Sequence, residues 1–298
     1  MAYNVLSAIF RGLGDSKSPL LFVLVACIIN IIGDLALVAG LHMDAVGAAI
    51  ATVAAQGCSV VFAIVILLKK DLPFSITKKD FRWNVQCNRF LKIGLPLALQ
   101  ELLTQISFLA LCAFVNRLGL EASSGYGVAC KIVNFAMLVP SALMQSMASF
   151  VSQNVGAGKT KRAKHTLYTG VGVGLAVGCV VFMLVMFKGD LLAGFFTTDA
   201  AVVQSAFEYL KGFAAETLMT AILFSLIGYF GNNKTVWVMT QGLFQTLLVR
   251  LPFAYVMSIQ PNASLTKIGL AAPVSTTVGV IMSVIYYIYI NRKSESES

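Results

Sequence analysis

The chain has 298 residues, 58% of them apolar and only 12% charged, with a mean hydropathy of +0.82 and a formal net charge of +9. Soluble domains carry about 25% charged residues, so this composition excludes a soluble enzyme, a disordered tail, a coiled coil and a disulfide-rich secreted module. The excess positive charge does not point to nucleic acid. The bases fall in a few gaps between apolar stretches, where in a membrane protein they report orientation.

Residues 1–17 hold a short apolar stretch followed by Arg11-Gly-Leu-Gly-Asp-Ser-Lys17. That order is the reverse of a secretory signal, and it reads as the end of a helix. A bilayer core is crossed by about 20 mostly apolar helical residues. Eight such spans follow, at about 18–41, 44–68, 90–116, 122–152, 165–187, 200–229, 235–259 and 266–290. Runs such as Val180–Phe187 and Ile281–Ile290 do not alternate, as the strands of a membrane barrel would. The expected fold class is therefore an all-α polytopic bundle of about eight transmembrane helices.

One set of alternate loops, with both ends of the chain, holds sixteen Lys and Arg; the other set holds only Arg117, Lys188 and Lys267. This bias places the first set and the C-terminus in the cytoplasm. The densest basic cluster, Lys159-Thr-Lys-Arg-Ala-Lys164, suits anionic lipid headgroups; it is short and lacks the interleaved aromatics that nucleic acid would require. The six cysteines include no C-x-x-C pair and read as small buried apolar residues.

Gly14-Asp-Ser-Lys-Ser18 aligns with Gly231-Asn-Asn-Lys-Thr235, and Val46-Gly-Ala-Ala-Ile-Ala-Thr52 with Ile268-Gly-Leu-Ala-Ala-Pro-Val274, at an offset of about 220 residues in both places. Six spans separate the copies, so the repeats are parallel. The expected organisation is residues 1–72 as the last two helices, plus a stub, of a first bundle; 73–89 as a cytoplasmic linker; 90–291 as a second, six-helix bundle; and 292–298 as a cytoplasmic tail. On this reading the chain is a fragment lacking about four helices of a twelve-helix parent, and it is expected to be inactive alone.

An ionisable group at the bilayer centre costs about 2.5–3.5 kcal/mol on insertion scales and marks a functional candidate. Glu101 and Glu216 fall deep within spans, and neither has a base at i±3 or i±4. Each must find a partner on another helix, take a proton, or bind a cation such as Na⁺, with Gln100, Thr104, Gln105, Thr217 and Thr220 as nearby oxygen donors. The competing reading pairs them with Lys131 or Arg250. Asp34 with Asn30 is a further polar pair, either cavity-lining or holding one helix to its neighbour, and Lys211 is expected to pair with Glu208. Pro96 and Pro140 lie inside spans and are hinge candidates, because freed carbonyls are tolerated there only against protein or a water-filled cavity.

Two patterns mislead. Gly156-Ala-Gly-Lys-Thr160 resembles the end of a phosphate-binding loop, but Gln153 stands where that motif requires glycine, and a membrane span precedes it instead of a strand. This argues against ATP. Asn262-Ala-Ser264 is a glycosylation sequon, meaningful only in a eukaryotic secretory host. His42 and His165 are isolated, and no catalytic constellation points to an enzyme.

Several segments carry a family resemblance. Ser152-Gln-Asn-Val-Gly-Ala-Gly-Lys-Thr-Lys-Arg-Ala163 resembles the loop after the eighth helix of MATE (multidrug and toxic compound extrusion) transporters. Tyr3-Asn-Val-Leu-Ser-Ala-Ile-Phe-Arg-Gly-Leu-Gly-Asp15 is similar to the end of their helix four, Lys92-Ile-Gly-Leu-Pro96 to the opening of helix seven, Gly228-Tyr-Phe-Gly-Asn-Asn-Lys-Thr235 to the end of helix ten, and Val249-Arg-Leu-Pro252 to part of helix eleven. The resemblance implies two six-helix bundles around a central cavity, open alternately to each side of a bacterial inner membrane. Drug-like, often cationic, compounds would leave as Na⁺ or H⁺ enters, with no other cofactor. Glu216, twelve residues before Gly228, takes the place of the family's helix-ten acid, and Glu101 is the only acid in the helix-seven segment. A lipid-linked oligosaccharide flippase of the same superfamily and a non-transporting membrane scaffold are the alternatives.

Overall fold

The computed structural model describes residues 2–15, 17–69, 84–231 and 234–296. Every regular element among them is helical. Seven helices are individually long and apolar enough to cross a membrane, and one bent pair supplies an eighth span if its halves are counted together. The protein is thus a multi-pass helical membrane protein. Large apolar side chains such as Leu20, Val53, Leu109 and Phe187 point outward, as helices facing lipid require. The helices fall into two compact units, Met1–Asn84 and Val85–Ser298. Most of the expected linker at 73–89 lies outside the described residues.

The first unit contains α1 (Ala2–Gly12), α2 (Lys17–Asp34), which runs on into a π-helical turn Leu35–Gly40, and α3 (Asp44–Lys69). Asp15 caps α2, its carboxylate accepting from the backbone N–H of Lys17 and Ser18. On α3, Gly47, Ala51, Ala55, Ser59 and Ala63 recur every fourth residue and are all buried. This small-residue stripe lets backbones approach closely, the usual basis of helix packing in membranes. Ser59 Oγ donates to the Phe22 carbonyl of α2 at 2.9 Å. Phe10 of α1 and Phe22 of α2 are buried against each other, edge to face at 5.2 Å.

The second unit contains α4 (Val85–Asn116), α5 (Leu120–Gly156), α6 (Thr160–Gly194), α7 (Ala200–Phe213), α8 (Glu216–Phe230), α9 (Thr235–Leu243), α10 (Leu251–Ile259), α11 (Leu265–Gly269) and α12 (Ala271–Ser296). A π-helical turn, Phe244–Arg250, joins α9 to α10 within one span. Helix α4 opens at Val85, ahead of the expected boundary at 90, and α12 continues to Ser296, through most of the expected tail. Helix α5 packs on α6, α7 and α8, α8 also packs on α12, and α4 packs mainly on α9 and α10.

The expected single span at 200–229 is broken. Helices α7 and α8 meet at Ala214–Ala215 with a bend of 49°. The turn is tightened by i→i−3 bonds from the N–H of Thr217 to the Ala214 carbonyl and from Leu218 to Ala215. Both halves pack on α5 and α6, and each has one further partner of its own. Gly212 lies so close to the Thr266 carbonyl that a Cβ would not fit, which pins α7 to α11, while α8 follows α12. By contrast, α4 and α5 continue through Pro96 and Pro140 as single helices. The departures from α-helical geometry lie at Leu35–Gly40, Lys188, Ala214–Ala215 and Phe244–Arg250.

The glycine-rich turn between α5 and α6 is a helix stop. Gly158 adopts φ +72°, the N–H of Lys159 donates to the Asn154 carbonyl at 2.8 Å, and that of Gly158 to Val155 at 3.0 Å. This is the paired hydrogen-bond pattern of a left-handed C-terminal cap, and it accounts for Gly158, the glycine that precedes Lys159-Thr160 in the imitation of a phosphate loop.

Candidate cation site

Glu216 opens α8, immediately after the break, and is only 8% exposed. Its position at a helix N-terminus favours a negative charge there. Thr220, one turn on and therefore on the same face, donates its hydroxyl to Glu216 Oε1 at 3.0 Å. Thr276 of α12 donates to the same oxygen at 2.9 Å. Both threonines are buried. The other carboxylate oxygen, Oε2, is buried with no hydrogen-bond partner among the described residues.

A buried acceptor left unsatisfied costs about 1–3 kcal/mol, and more when charged. Glu216 is therefore half-saturated: two hydroxyls converge on one oxygen, and the second is open to a proton or a cation. Carboxylate and hydroxyl oxygens suit a hard cation. Among the described residues no group of three His, Cys, Asp or Glu could hold a metal ion, so a cation at Glu216 would rely on this one carboxylate and neutral oxygens.

The basic side chains do not close this gap. Arg250, 9% exposed, attracts Glu216 electrostatically, but its guanidinium lies over the Phe108 ring at 4.4 Å and its Nε is itself without a partner. Lys131 is exposed and sits over Phe196 at 5.6 Å. Lys211, expected to pair with Glu208, instead lies over the ring of Phe207, one turn back, at 4.1 Å. On an exposed helix face the aromatic ring offers the ammonium a fixed, nearby partner.

The other candidate residues separate into three groups. Thr217 turns away from Glu216: its hydroxyl donates to the carbonyls of Ala214 at 2.9 Å and of Gly178 on α6 at 3.3 Å, so it fastens α8 to α6 and does not contribute to the carboxylate. Glu101 is exposed on α4, and its Oε1 accepts from Gln105 Nε2 of the same helix at 2.9 Å. Thr104 donates to the Gln100 carbonyl within that helix, and the Gln100 amide packs against Gly242 of α9. In the first unit, Asn30 Nδ2 donates to Thr52 Oγ1 across α2 and α3 at 3.3 Å, beside a cavity of about 540 Å³ lined by Asn30, Thr52, Gln56 and Ser59. Asp34 Oδ1 is buried without a hydrogen-bond partner, and its side chain makes no hydrogen bond to Asn30.

Thr276 is the site residue that sequence reasoning missed. Its signal was the run Ser275-Thr-Thr277 inside the last apolar span, three hydroxyls in a stretch that needs none for solubility.

The fold and this interior carboxylate define a polytopic helical membrane protein with a carboxylate held between α8 and α12. The MatE family model matches residues 96–256, so the chain belongs to the MatE family. It is 27% identical over 96% of its length to the probable multidrug resistance protein YpnP of Bacillus subtilis (strain 168), and 23% identical over 98% to YoeA, of the same description and organism. The chain spans about two-thirds of those relatives, 64% and 65% of their lengths. Among solved structures, it superposes on an outward-facing multidrug resistance MATE family transporter of the MOP superfamily with a TM-score of 0.90. The two share 20% sequence identity, over 98% of this chain and 66% of that one.

Proposed function

We propose that this chain belongs to a secondary active transporter that expels drug-like, often cationic, compounds in exchange for Na⁺ or H⁺, and that Glu216 receives the coupling cation. The observation that carries the reading is the half-saturated carboxylate: Oε1 accepts from two threonine hydroxyls, and Oε2 is buried without a hydrogen-bond partner among the described residues. The relatives' descriptions as multidrug resistance proteins support the export of drugs. The sixteen-to-three bias of basic residues supports a cytoplasmic C-terminus, and the bacterial relatives support an inner-membrane setting.

Alternating access couples to the ion as follows. A proton or Na⁺ on Oε2 removes the buried negative charge and satisfies the open acceptor, which stabilises the arrangement in which Thr220 and Thr276 hold α8 against α12. Loss of the cation leaves a charge with one open oxygen and weakens that arrangement. A cation can shift the equilibrium only by its difference in affinity between the two states. The break at Ala214–Ala215 lets α8 respond without dragging α7.

The test is dye transport by the whole transporter in everted vesicles under an imposed Na⁺ or pH gradient. Glu216→Gln keeps an acceptor for both threonines but cannot be protonated in the same way or neutralise a cation. It is expected to abolish gradient-driven transport while leaving dye binding measurable. Wild-type coupling in that variant would overturn the assignment, and the gradient that drives the native protein identifies the ion.

A further inference from the structure

A groove of about 450 Å³ lies between α5 and α6, well apart from Glu216. Its α6 wall is a single helical stripe: Arg162, His165, Thr166, Thr169, Gly170 and Val173, spaced i, i+3, i+4, i+7, i+8 and i+11. Its α5 wall is Leu143, Ser146, Met147 and Phe150 at the same spacing. At the deep end the two helices touch, because Gly170 leaves no room for a Cβ beside the Met147 thioether. At the shallow end Arg162 lies over the Phe150 ring at 5.6 Å.

The groove is chemically graded along its length. Arg162 and His165 mark one end, Thr169 lies between, and Leu143, Met147 and Val173 form an apolar far end. The eleven helical steps from Arg162 to Val173 span about 16 Å at 1.5 Å per residue, which matches the depth of one leaflet of a hydrocarbon core about 30 Å thick. Thr169, Val173 and Phe150 are exposed, so the groove opens to the side. The charge is one-signed: Lys159, Lys161, Arg162 and Lys164 cluster at this end, and no acidic residue occurs between Glu121 and Asp190. The hairpin that forms the groove therefore offers its own cations no carboxylate.

We propose that this groove is a binding site for an anionic phospholipid, with the phosphate on Arg162 and His165 and one acyl chain along Leu143, Met147 and Val173 between α5 and α6. It is a built site and differs from the general attraction of a basic loop for a charged membrane surface, because head and tail are each matched to a wall of the groove. Helix α8 packs on both α5 and α6, so a lipid wedged between them bears on the helix that carries Glu216.

The test uses the full purified chain in detergent and follows thermal unfolding as lipid is titrated, since a ligand of the folded state raises the midpoint by mass action. Phosphatidylglycerol is expected to stabilise the chain more than phosphatidylcholine with the same acyl chains, and inorganic phosphate alone is expected to do nothing. Replacing Arg162→Gln together with His165→Gln should weaken phosphatidylglycerol by about fivefold or more, because one basic residue at a membrane surface accounts for about that factor. Val173→Trp, which fills the exposed tail end, should weaken both lipids. Lys161→Gln with Lys164→Gln, whose side chains do not line the groove, should leave the preference intact. If that control removes the preference as fully as Arg162→Gln with His165→Gln, or if phosphate stabilises as well as the lipid, the groove is not a phospholipid site.

Discussion

Glu101 on α4 and Glu216 on α8 are indistinguishable by the rules that single them out: each is an acid well inside an apolar span with no base one turn away. The fold treats them differently. Glu216 is buried and takes hydroxyls from its own helix and from α12, with one oxygen left open. Glu101 is exposed, and its partner is Gln105 on the same helix. A carboxylate bonded within one helix is a local feature, whereas one shared between two helices reports on their relative position. Of the two, Glu216 alone is bonded across two helices, and the proposed coupling rests on that arrangement.

That contrast can be broken by substitution. The largest effect is expected at Glu216→Gln. Loss of an outer-shell partner typically lowers ion affinity by about 10–100-fold, so loss of the carboxylate itself should exceed about 100-fold and reduce cation-driven efflux by the whole transporter to background. Next is Thr276→Val, which removes one hydroxyl from Oε1 and should raise the cation concentration for half-maximal transport about tenfold, with Thr276→Ser restoring it. A full effect of the serine variant would show that the methyl group, not the hydroxyl, is what matters.

Thr217→Val should lower thermal stability by about 1 kcal/mol through the lost bond to the Gly178 carbonyl, with the cation requirement unchanged. A shifted cation requirement there would mean that the pinning of α8 to α6 is part of the coupling. The smallest change is expected at Glu101→Gln, within about 0.5 kcal/mol in thermal unfolding, as for exposed substitutions in general. A destabilisation comparable to that of Thr217→Val would remove the distinction between the two acids.

The spans were legible because a helix in lipid must be apolar along its whole length, and eight expected stretches correspond to the seven single helices and the one bent pair. The break inside that pair was not. Ala214-Ala215 carries neither glycine nor proline, and what distinguishes the two sides of the bend is tertiary: Gly212 is held at α11, while α8 packs with α12. The prolines at 96 and 140 were the visible hinge candidates, and each lies inside a continuous helix, where neighbouring groups can satisfy the backbone that a proline frees. Thr220 was legible as an i+4 neighbour of Glu216, but Thr217, adjacent in sequence, points to α6, as the 100° step between successive helical residues allows.

Composition and periodicity alone determined that this chain crosses a membrane many times as helices, because the cost of an unsatisfied backbone or a charge in hydrocarbon acts on every residue independently of its neighbours. Which acid is enclosed was decided only by tertiary structure. The second hydroxyl on Glu216 comes from a residue 60 positions away, and no local rule can assign a partner that exists only once α8 and α12 are packed together.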